Sequence, residues 1–391
     1  MTAKTILISP CGMGLGHASR MLTLGERLSQ RGFKVVFSSY GDAVNYIVKH
    51  GYICFKTSTL SYKEDDEGGI AVKDTLASGI KGLKIFLKHI ADEVRLIASY
   101  NPSLVISDSR LSTLVGAYVL GVPSILVANQ LKVPLPVREP NKAKLLLRGV
   151  AESYFNAFLE AGWSLAERIY VPDFPPPYTI SKYTLPTSSL RRKMIFAGPL
   201  LSTWPEELPP RDVLKEKLRM RGKRVVLIGI SGLKGERENF LKSLARRLGQ
   251  HSPLRSVVFI MSKGNPSGTA IRKIGNAIIY DWLPNRYEWL KACDLVITHG
   301  GHTSVIEALI YGVPAIHVPN PGHLERFFNA KSAEELGVAL LATPQNLGEK
   351  VLEALEREEL SERTVALSEE LAIYRGDVRI TNDLERLIYF S

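Results

Sequence analysis

Two stretches of this chain repeat each other at a fixed distance, and the repeat limits the fold more than any other feature. Leu104-Val105-Ile106-Ser107-Asp108 corresponds to Leu295-Val296-Ile297-Thr298-His299. Ala117-Tyr118-Val119-Leu120-Gly121-Val122-Pro123-Ser124-Ile125 corresponds to Ala308-Leu309-Ile310-Tyr311-Gly312-Val313-Pro314-Ala315-Ile316, and both pairs share an offset of 191 residues. Each copy is an apolar run, a helical stretch stopped by glycine, and a second apolar run. That is the grammar of parallel strands joined by a helix. Two copies predict two Rossmann-like α/β domains with parallel sheets, and they put Asp108 and His299 at equivalent strand ends. Ligands of open α/β sheets bind beyond the carboxyl ends of the strands, so both residues are expected to face a shared central cleft.

The rest of the chain keeps the same rhythm. Thr5–Ser9 reads as a strand, followed by the turn Pro10-Cys11-Gly12-Met13-Gly14-Leu15-Gly16-His17, a helix from Ala18 to about Gln30, and a strand Lys34–Ser38. No acidic residue closes that second strand, which argues against a dinucleotide fingerprint. After the Pro-rich stretches at 172–177 and 198–210 the pattern restarts. Arg224–Ile230 is a strand, Ser231-Gly232-Leu233-Lys234-Gly235 a Gly-rich turn, residues 236–248 a helix, and Ser256–Met261 and Ala277–Asp281 are strands. Helices fill about 348–388. The expected domains are 1–197 and 198–372, with a final helix over 373–391 crossing back to the first. Within 80–96, Ile80, Leu83, Phe86, Leu87, Ile90 and Val94 recur at helical spacing and are expected to face the core, with Lys81, Lys84, Lys88 and Arg95 outside; a helix resting on an anionic membrane surface is the alternative.

Thr298-His299-Gly300-Gly301-His302-Thr303-Ser304 combines a strand end, a glycine turn and a helix start. Unpaired helix N-terminal amides with no bulky side chains in the way make an anion site. Glu307 follows about one turn later, where a carboxylate can accept from ribose hydroxyls.

Composition narrows the setting. No run of about 18 apolar residues is present, so no membrane-spanning helix is expected, and Met1–Thr5 lacks a signal-peptide pattern. Cys11, Cys54 and Cys293 are scattered without metal-ligand spacing, which points to a reducing cytoplasm and no structural zinc. The net charge of +11 is uneven: 24 Lys and Arg oppose 15 Asp and Glu over residues 1–196, and 26 oppose 24 over the remainder. Lys132, Arg138, Lys142, Lys144 and Arg148 alternate with Leu135, Leu145, Leu146 and Leu147, the best local candidate for docking on anionic lipid; an ordinary surface segment is the alternative.

Taken with Trp282-Leu283-Pro284-Asn285, Gly312-Val313-Pro314 and Asn329-Ala330, the 299–307 motif resembles the donor site of GT-B glycosyltransferases, in particular MurG and the family 1 UDP-glycosyltransferases. The N-terminal Gly14-Leu15-Gly16-His17 fits the same resemblance. It implies a metal-independent, inverting transfer from a UDP-sugar with no cofactor. By that resemblance His17 is the general base and Asp108 orients it. Ser231, Gly232, Trp282, Leu283, His299, Gly300, Gly301, His302, Thr303, Ser304 and Glu307 bind the nucleotide, Trp282 by stacking on the base. Glu325 and Arg326 stand where family 1 enzymes carry the sugar-contacting Asp-Gln or Glu-Gln pair, a departure that points to an acidic or unusual sugar. Gly14, Gly16, Arg20, Asn129 and Gln130 lie on the acceptor side. The expected partners are a UDP-sugar, a lipid-linked or phosphorylated acceptor and an anionic membrane, with no nucleic acid. The expected place is the cytoplasm, peripheral on the inner membrane face.

Chemistry suits that reading. A departing diphosphate needs charge stabilisation, which amides and an imidazole supply, and histidine is the natural base near neutral pH. Blander roles exist: His17 as a cap or packing residue, Asp108 as a helix N-cap, Trp282 as core. Gly14-Leu15-Gly16-His17-Ala18-Ser19-Arg20 also resembles the start of the UDP-sugar hydrolase of pseudaminic acid synthesis, in which water replaces the acceptor. A non-catalytic nucleotide-sugar-binding subunit is the third alternative.

Overall fold

Strand runs such as Ile6-Leu7-Ile8 are apolar on both faces, and a parallel sheet covered by helices on both sides is the arrangement that buries them. The computed structural model describes residues 3–58, 79–135, 142–186, 188–229, 241, 244, 252–265, 268–320 and 322–390. These divide into two compact units. The first lies within Met1–Pro176, Tyr183–Ser202 and Tyr374–Ser391, the second within Pro177–Lys182 and Thr203–Ile373.

In the first unit the chain runs β1 (Thr5–Pro10), α1 (Leu15–Gln30), β2 (Lys34–Ser39), α2 (Asp42–Lys49), β3 (Cys54–Lys56), α3 (Gly79–Tyr100), β4 (Leu104–Asp108), α4 (Leu111–Val119), β5 (Ser124–Val127), α5 (Lys142–Trp163), β6 (Arg168–Val171) and β7 (Met194–Phe196). The strands form a parallel sheet in the order β3-β2-β1-β4-β5-β6-β7. Ile6 and Ile8 pack with Met21, Leu24 and Leu28 of α1, while Leu7 faces the opposite side with Leu96 and Ile97 of α3. Each of these fully buried strand side chains stabilises the fold by roughly 1.5–3 kcal/mol relative to exposure.

The second unit contains α6 (Arg211–Lys217), β8 (Arg224–Gly229), β9 (Val257–Ser262), β10 (Ile271–Ile274), β11 (Ala277–Tyr280), α7 (Arg286–Ala292), β12 (Leu295–Thr298), α8 (His302–Ile310), β13 (Ala315–His317), α9 (Leu324–Glu335), β14 (Ala339–Leu341), α10 (Leu347–Glu356) and α11 (Glu358–Leu371). Its sheet order is β10-β11-β9-β8-β12-β13-β14, parallel except where β10 returns antiparallel along β11. The last helix, α12 (Gly376–Phe390), belongs to the first unit, with Ile380 and Leu384 fully buried in the α1 core.

The 191-residue repeat is structural as well as sequential. Helix α4 spans Leu111–Val119 and α8 spans His302–Ile310, the same positions shifted by the offset. Val105 N–H donates to the Pro123 carbonyl at 3.0 Å, and Val296 N–H to the Pro314 carbonyl at 3.0 Å. Both helices are closed by a left-handed glycine, Gly121 and Gly312.

The stripe expected over residues 80–96 is corrected. In α3, Leu83 and Leu87 are exposed, whereas His89 and Glu93 are buried beside Leu96 and Ile97. The buried pairing of Glu93 with Arg110, 2.6 Å apart, pulls a charged residue into the packed face, and hydrophobic periodicity does not anticipate such a pair. The side chains of Ile80 and Lys81, and the helix expected over 236–248 apart from Leu241 and Leu244, lie outside the described residues.

His317 closes β13, fully buried, with Nδ1 2.9 Å from Thr298 Oγ1. Burial pushes its pKa down to about 4, against roughly 6.5 in an unfolded chain. Between those values the unfolded chain binds the extra proton, so stability rises with pH through the window and is lost as pH falls from about 6.5 towards 4. Urea midpoints measured across that range are expected to drop by the equivalent of about 3 kcal/mol, and His317→Gln to remove that part of the slope. Parallel pH profiles for the two proteins would contradict the assignment.

Candidate functional site

In the first unit, a carboxylate, an imidazole and a guanidinium meet at the carboxyl ends of β1 and β4. Asp108 ends β4, paired in register with Pro10 at the end of β1. The next residue, Ser109, is left-handed at φ 57. A non-glycine residue pays roughly 1–2 kcal/mol for that backbone, and Ser109 Oγ donates to Asp108 Oδ1 at 3.1 Å. Helix α4 starts only at Leu111, with Arg110 at its N-cap position, so Asp108 is not the helix cap.

His17 sits in the first turn of α1, whose N-cap position is Gly14 at φ 76; no side chain caps that helix and its first turn holds no acid. His17 Nδ1 is 2.9 Å from Asp108 Oδ1, and the ring is 27% exposed while the carboxylate is wholly buried. Arg20 Nε donates to Asp108 Oδ2 at 2.7 Å, its Nη2 to Oδ1, and its Nη1 to Asn129 Oδ1 at 2.8 Å. Burial alone raises the Asp108 carboxyl, but the Arg20 guanidinium and the His17 ring outweigh it and hold the group well below the usual carboxylate range. The ionised carboxylate is the strongest acceptor present, so the proton of His17 belongs on Nδ1 and the lone pair on Nε2. Arg20 and Asn129 are both buried, and Gly14, Gly16 and Gln130 are half-buried.

The second unit repeats the strand end with different chemistry. His299 follows β12, and Gly300 is left-handed at φ 80, the counterpart of Ser109. A Cβ on Gly300 would lie 2.5 Å from the Arg326 carbonyl oxygen, so both the backbone and the close approach require glycine here. Gly300 N–H donates to Thr298 Oγ1 at 3.0 Å, and Asn329 Nδ2 to the Gly300 carbonyl at 3.3 Å. Helix α8 then begins at His302 behind Gly301, with no side-chain cap bond and no acid in its first turn. Its N-terminal amides therefore suit an anion. Buried His299 has Nδ1 3.4 Å from Arg326 Nη1 in the first turn of α9, next to Glu325. Thr303 and Ser304 are half-buried, and His302 is buried.

Glu307 is buried and held by two residues of α7 that sequence reasoning missed. Arg286 Nη2 pairs with Oε2, and Tyr287 donates its hydroxyl to Oε1 at 3.1 Å. Their position directly after Trp282-Leu283-Pro284-Asn285 was the available signal. Trp282 is half-buried between β11 and α7, whereas the Leu283 side chain is core, leaving only its main chain for contact. Ser231 and Gly232 lie outside the described residues. The buried Glu93–Arg110 pair, bonded to Ser38 through Oγ at 2.8 Å and 3.1 Å respectively, was also missed; isolated charges in a sequence carry no sign of their partners.

Comparison with known proteins fits these halves. Residues 242–372 match the glycosyltransferase family 28 C-terminal domain, a span that includes the His299–Glu307 turn and helix. A glycosyltransferase of Methanosarcina mazei is 27% identical over 360 residues, covering 92% of this chain and 90% of that protein. The UDP-N-acetylglucosamine--N-acetylmuramyl-(pentapeptide) pyrophosphoryl-undecaprenol N-acetylglucosamine transferase of Thermosipho africanus is 27% identical over 297 residues, 71% of this chain and 76% of that one. Among solved structures, the glycotransferase of kitacinnamycin shares the fold at a TM-score of 0.66 and 21% identity, over 98% of both chains. With two Rossmann-like sheets, a segment matching the family 28 C-terminal domain and relatives spanning most of its length, the chain has the GT-B fold and is similar to glycosyltransferases of the family 28 type.

Proposed function

We propose that this glycosyltransferase moves a sugar, with inversion, from a UDP-sugar to a hydroxyl or phosphate of a lipid-linked or phosphorylated acceptor at the cytoplasmic face of the membrane. The observation that carries the reading is the His17–Asp108 pair: a half-open imidazole whose Nδ1 is fixed on a buried carboxylate. Nε2 takes the proton of the acceptor oxygen as that oxygen attacks C1 of the sugar. Asp108 keeps the ring in the right tautomer and stabilises the imidazolium that forms. The bond from C1 to the diphosphate breaks, and UDP leaves with the electron pair.

On the donor side, the amides at the start of α8 and the His299 ring stabilise the charge growing on the leaving diphosphate, a role that needs no metal. Glu307 offers about four lone-pair positions. Arg286 and Tyr287 engage one on each oxygen, and the remaining ones accept from the two ribose hydroxyls. Trp282 stacks on the base, and Glu325 with Arg326 contacts the sugar.

The membrane clause rests on α5. Leu147, Val150, Tyr154 and Phe158 recur along one side of this helix, and all are exposed, Leu147 at 70% and Tyr154 at 76%. The opposite side, with Leu159 and Trp163, is buried in the domain core. The helix is thus apolar on its outer face, and Lys142, Lys144 and Arg148 fall near its start. Among the described residues no helix is long and apolar enough to cross a membrane, so this face suits lying on a lipid surface. The basic residues Arg138, Lys142 and Lys144 of the candidate segment have side chains outside the described residues.

Four outcomes are expected. A panel of nucleotide sugars, with polyprenyl-phosphate and diacylglycerol acceptors, gives UDP release that depends on the acceptor; fast release without any acceptor would make the protein a hydrolase. In that assay His17→Ala loses turnover by at least about 10²-fold while calorimetric UDP affinity stays within about twofold, and a collapse of UDP binding would move His17 to the donor side. Gly300→Ala does the reverse, weakening UDP binding by roughly tenfold or more because the turn must distort by about 1–3 kcal/mol. Finally, Leu147→Asp with Tyr154→Asp abolishes co-sedimentation with phosphatidylglycerol vesicles; absence of binding by the unaltered protein would remove the membrane clause.

A further inference from the structure

Arg20 lies three residues beyond His17 in α1, so the two side chains leave the same face of the helix. A residue that contacts acceptor would open to solvent. The Arg20 side chain is instead 4% exposed, with donors committed to Asp108 at Nε and Nη2 and to Asn129 at Nη1. Its Nη2 also lies 3.0 Å from His17 Nδ1. Asp108 thus faces two groups able to share its charge, and the one that is always cationic takes both its oxygens.

That arrangement differs from a plain carboxylate–imidazole pair. There the whole carboxylate charge is available to a protonated ring, which favours the imidazolium at rest and occupies the nitrogen a base needs free. Here Arg20 cancels Asp108, and protonating His17 would leave a net positive charge on the cluster. Asp108 still accepts the Nδ1 proton, so the orienting bond survives while the electrostatic pull is reduced. Nη2 beside Nδ1 sets a limit as well: if Asp108 released the ring, Arg20 would donate to Nδ1 and drive the proton onto Nε2, the tautomer that cannot act as a base.

We propose that Arg20 is a positioning residue for the base: by holding both oxygens of Asp108 it fixes the proton on Nδ1 of His17 and keeps Nε2 free to accept another. The inference rests on the reading of His17 as the base. Among the described residues, the charged groups facing the ring are Asp108 from the end of β4 and Arg20 from α1; Ser109 and Asn129 are their neutral partners. Removing the guanidinium therefore has one sign. It returns the full charge of Asp108 to His17, and the ring takes its proton at higher pH.

The test uses the full chain labelled with 15N-histidine, and its first arm needs no substrate. In Arg20→Met the pH midpoint of the His17 ring rises by about one unit, and in the turnover assay the acid limb of kcat/KM moves up by the same amount. Arg20→Lys keeps the charge but not the two-pronged grip. Its midpoint stays within a few tenths of the unaltered protein, while kcat falls by roughly tenfold or more as the ring loses its alignment. If Arg20→Met does not fold, because it strands a buried carboxylate, the double variant Arg20→Met, Asp108→Asn carries the test. It replaces a cancelled pair by a neutral one, so its midpoint matches the unaltered protein to within a few tenths. A midpoint that does not move, or falls, in a folded Arg20→Met overturns the proposal, as does a one-unit shift in the double variant. Failure of the base reading is a separate result: turnover that survives His17→Ala, whatever the ring titration shows.

Discussion

Both units turn on one backbone constraint, the left-handed residue that ends a central parallel strand and sends the chain into a helix. Ser109 and Gly300 hold this conformation at equivalent places, between β4 and α4 and between β12 and α8. A parallel strand has to exit at its carboxyl edge, and a tight exit leaves the preceding side chain at the rim of the sheet. Asp108 and His299 are those side chains. In the first unit the strained conformation is held by a serine, whose hydroxyl is tied to the carboxylate it displays. In the second, glycine removes the strain, and the carbonyl of Arg326 closes over the position a Cβ would need.

The rim position in the first unit carries a fully buried charge, and desolvation sets what must surround it. A lone carboxylate there would cost several kcal/mol. Four donors, from Arg20 twice, from His17 and from Ser109, make the ionised form the stable one. The same bonds fix the rotamers of Arg20 and His17, so the stabilisation that lets Asp108 stay buried also aligns the imidazole. Electrostatic compensation and the orientation of the imidazole are one network, which makes the two hard to separate by deleting a single residue.

The sheet, the repeat and the strand-end residues were legible because they rest on local pattern: apolar runs of strand length, glycine stops, a shared offset. Strand β4 ends at Asp108 and β12 at Thr298, just before His299, where the repeat puts a strand end. What escaped was pairing between charges distant in the chain. Arg20 reads as an acceptor-side residue when its partner 88 positions away is not known. The α3 stripe fails for the same reason, since Glu93 is tolerated inside only because Arg110 and Ser38 meet it there. Glu307 was found by its spacing from the glycine turn, while Arg286 and Tyr287, which hold it, come from the preceding helix. Periodicity reports burial averaged over a face, and a satisfied buried charge is invisible to it.

One position in the repeat shows how a shared framework acquires different chemistry. Gly116 of α4 corresponds to Glu307 of α8 under the 191-residue offset. In the first unit α3 packs so closely that a Cβ on Gly116 would stand 3.2 Å from Glu93 Cβ and 3.5 Å from Ile97 Cδ1. The helix preceding the strand and the helix following it are in close contact there. In the second unit the preceding helix is the shorter α7, and the same position carries a carboxylate reaching Arg286 and Tyr287. Tyr287 in turn stacks on Tyr311 at 5.7 Å. A glutamate at 116 would force α3 away and disturb the buried Glu93–Arg110 pair. Close packing of α3 on α4 thus excludes a side chain at position 116, whereas the equivalent position 307 carries a buried carboxylate held by two residues of the preceding helix.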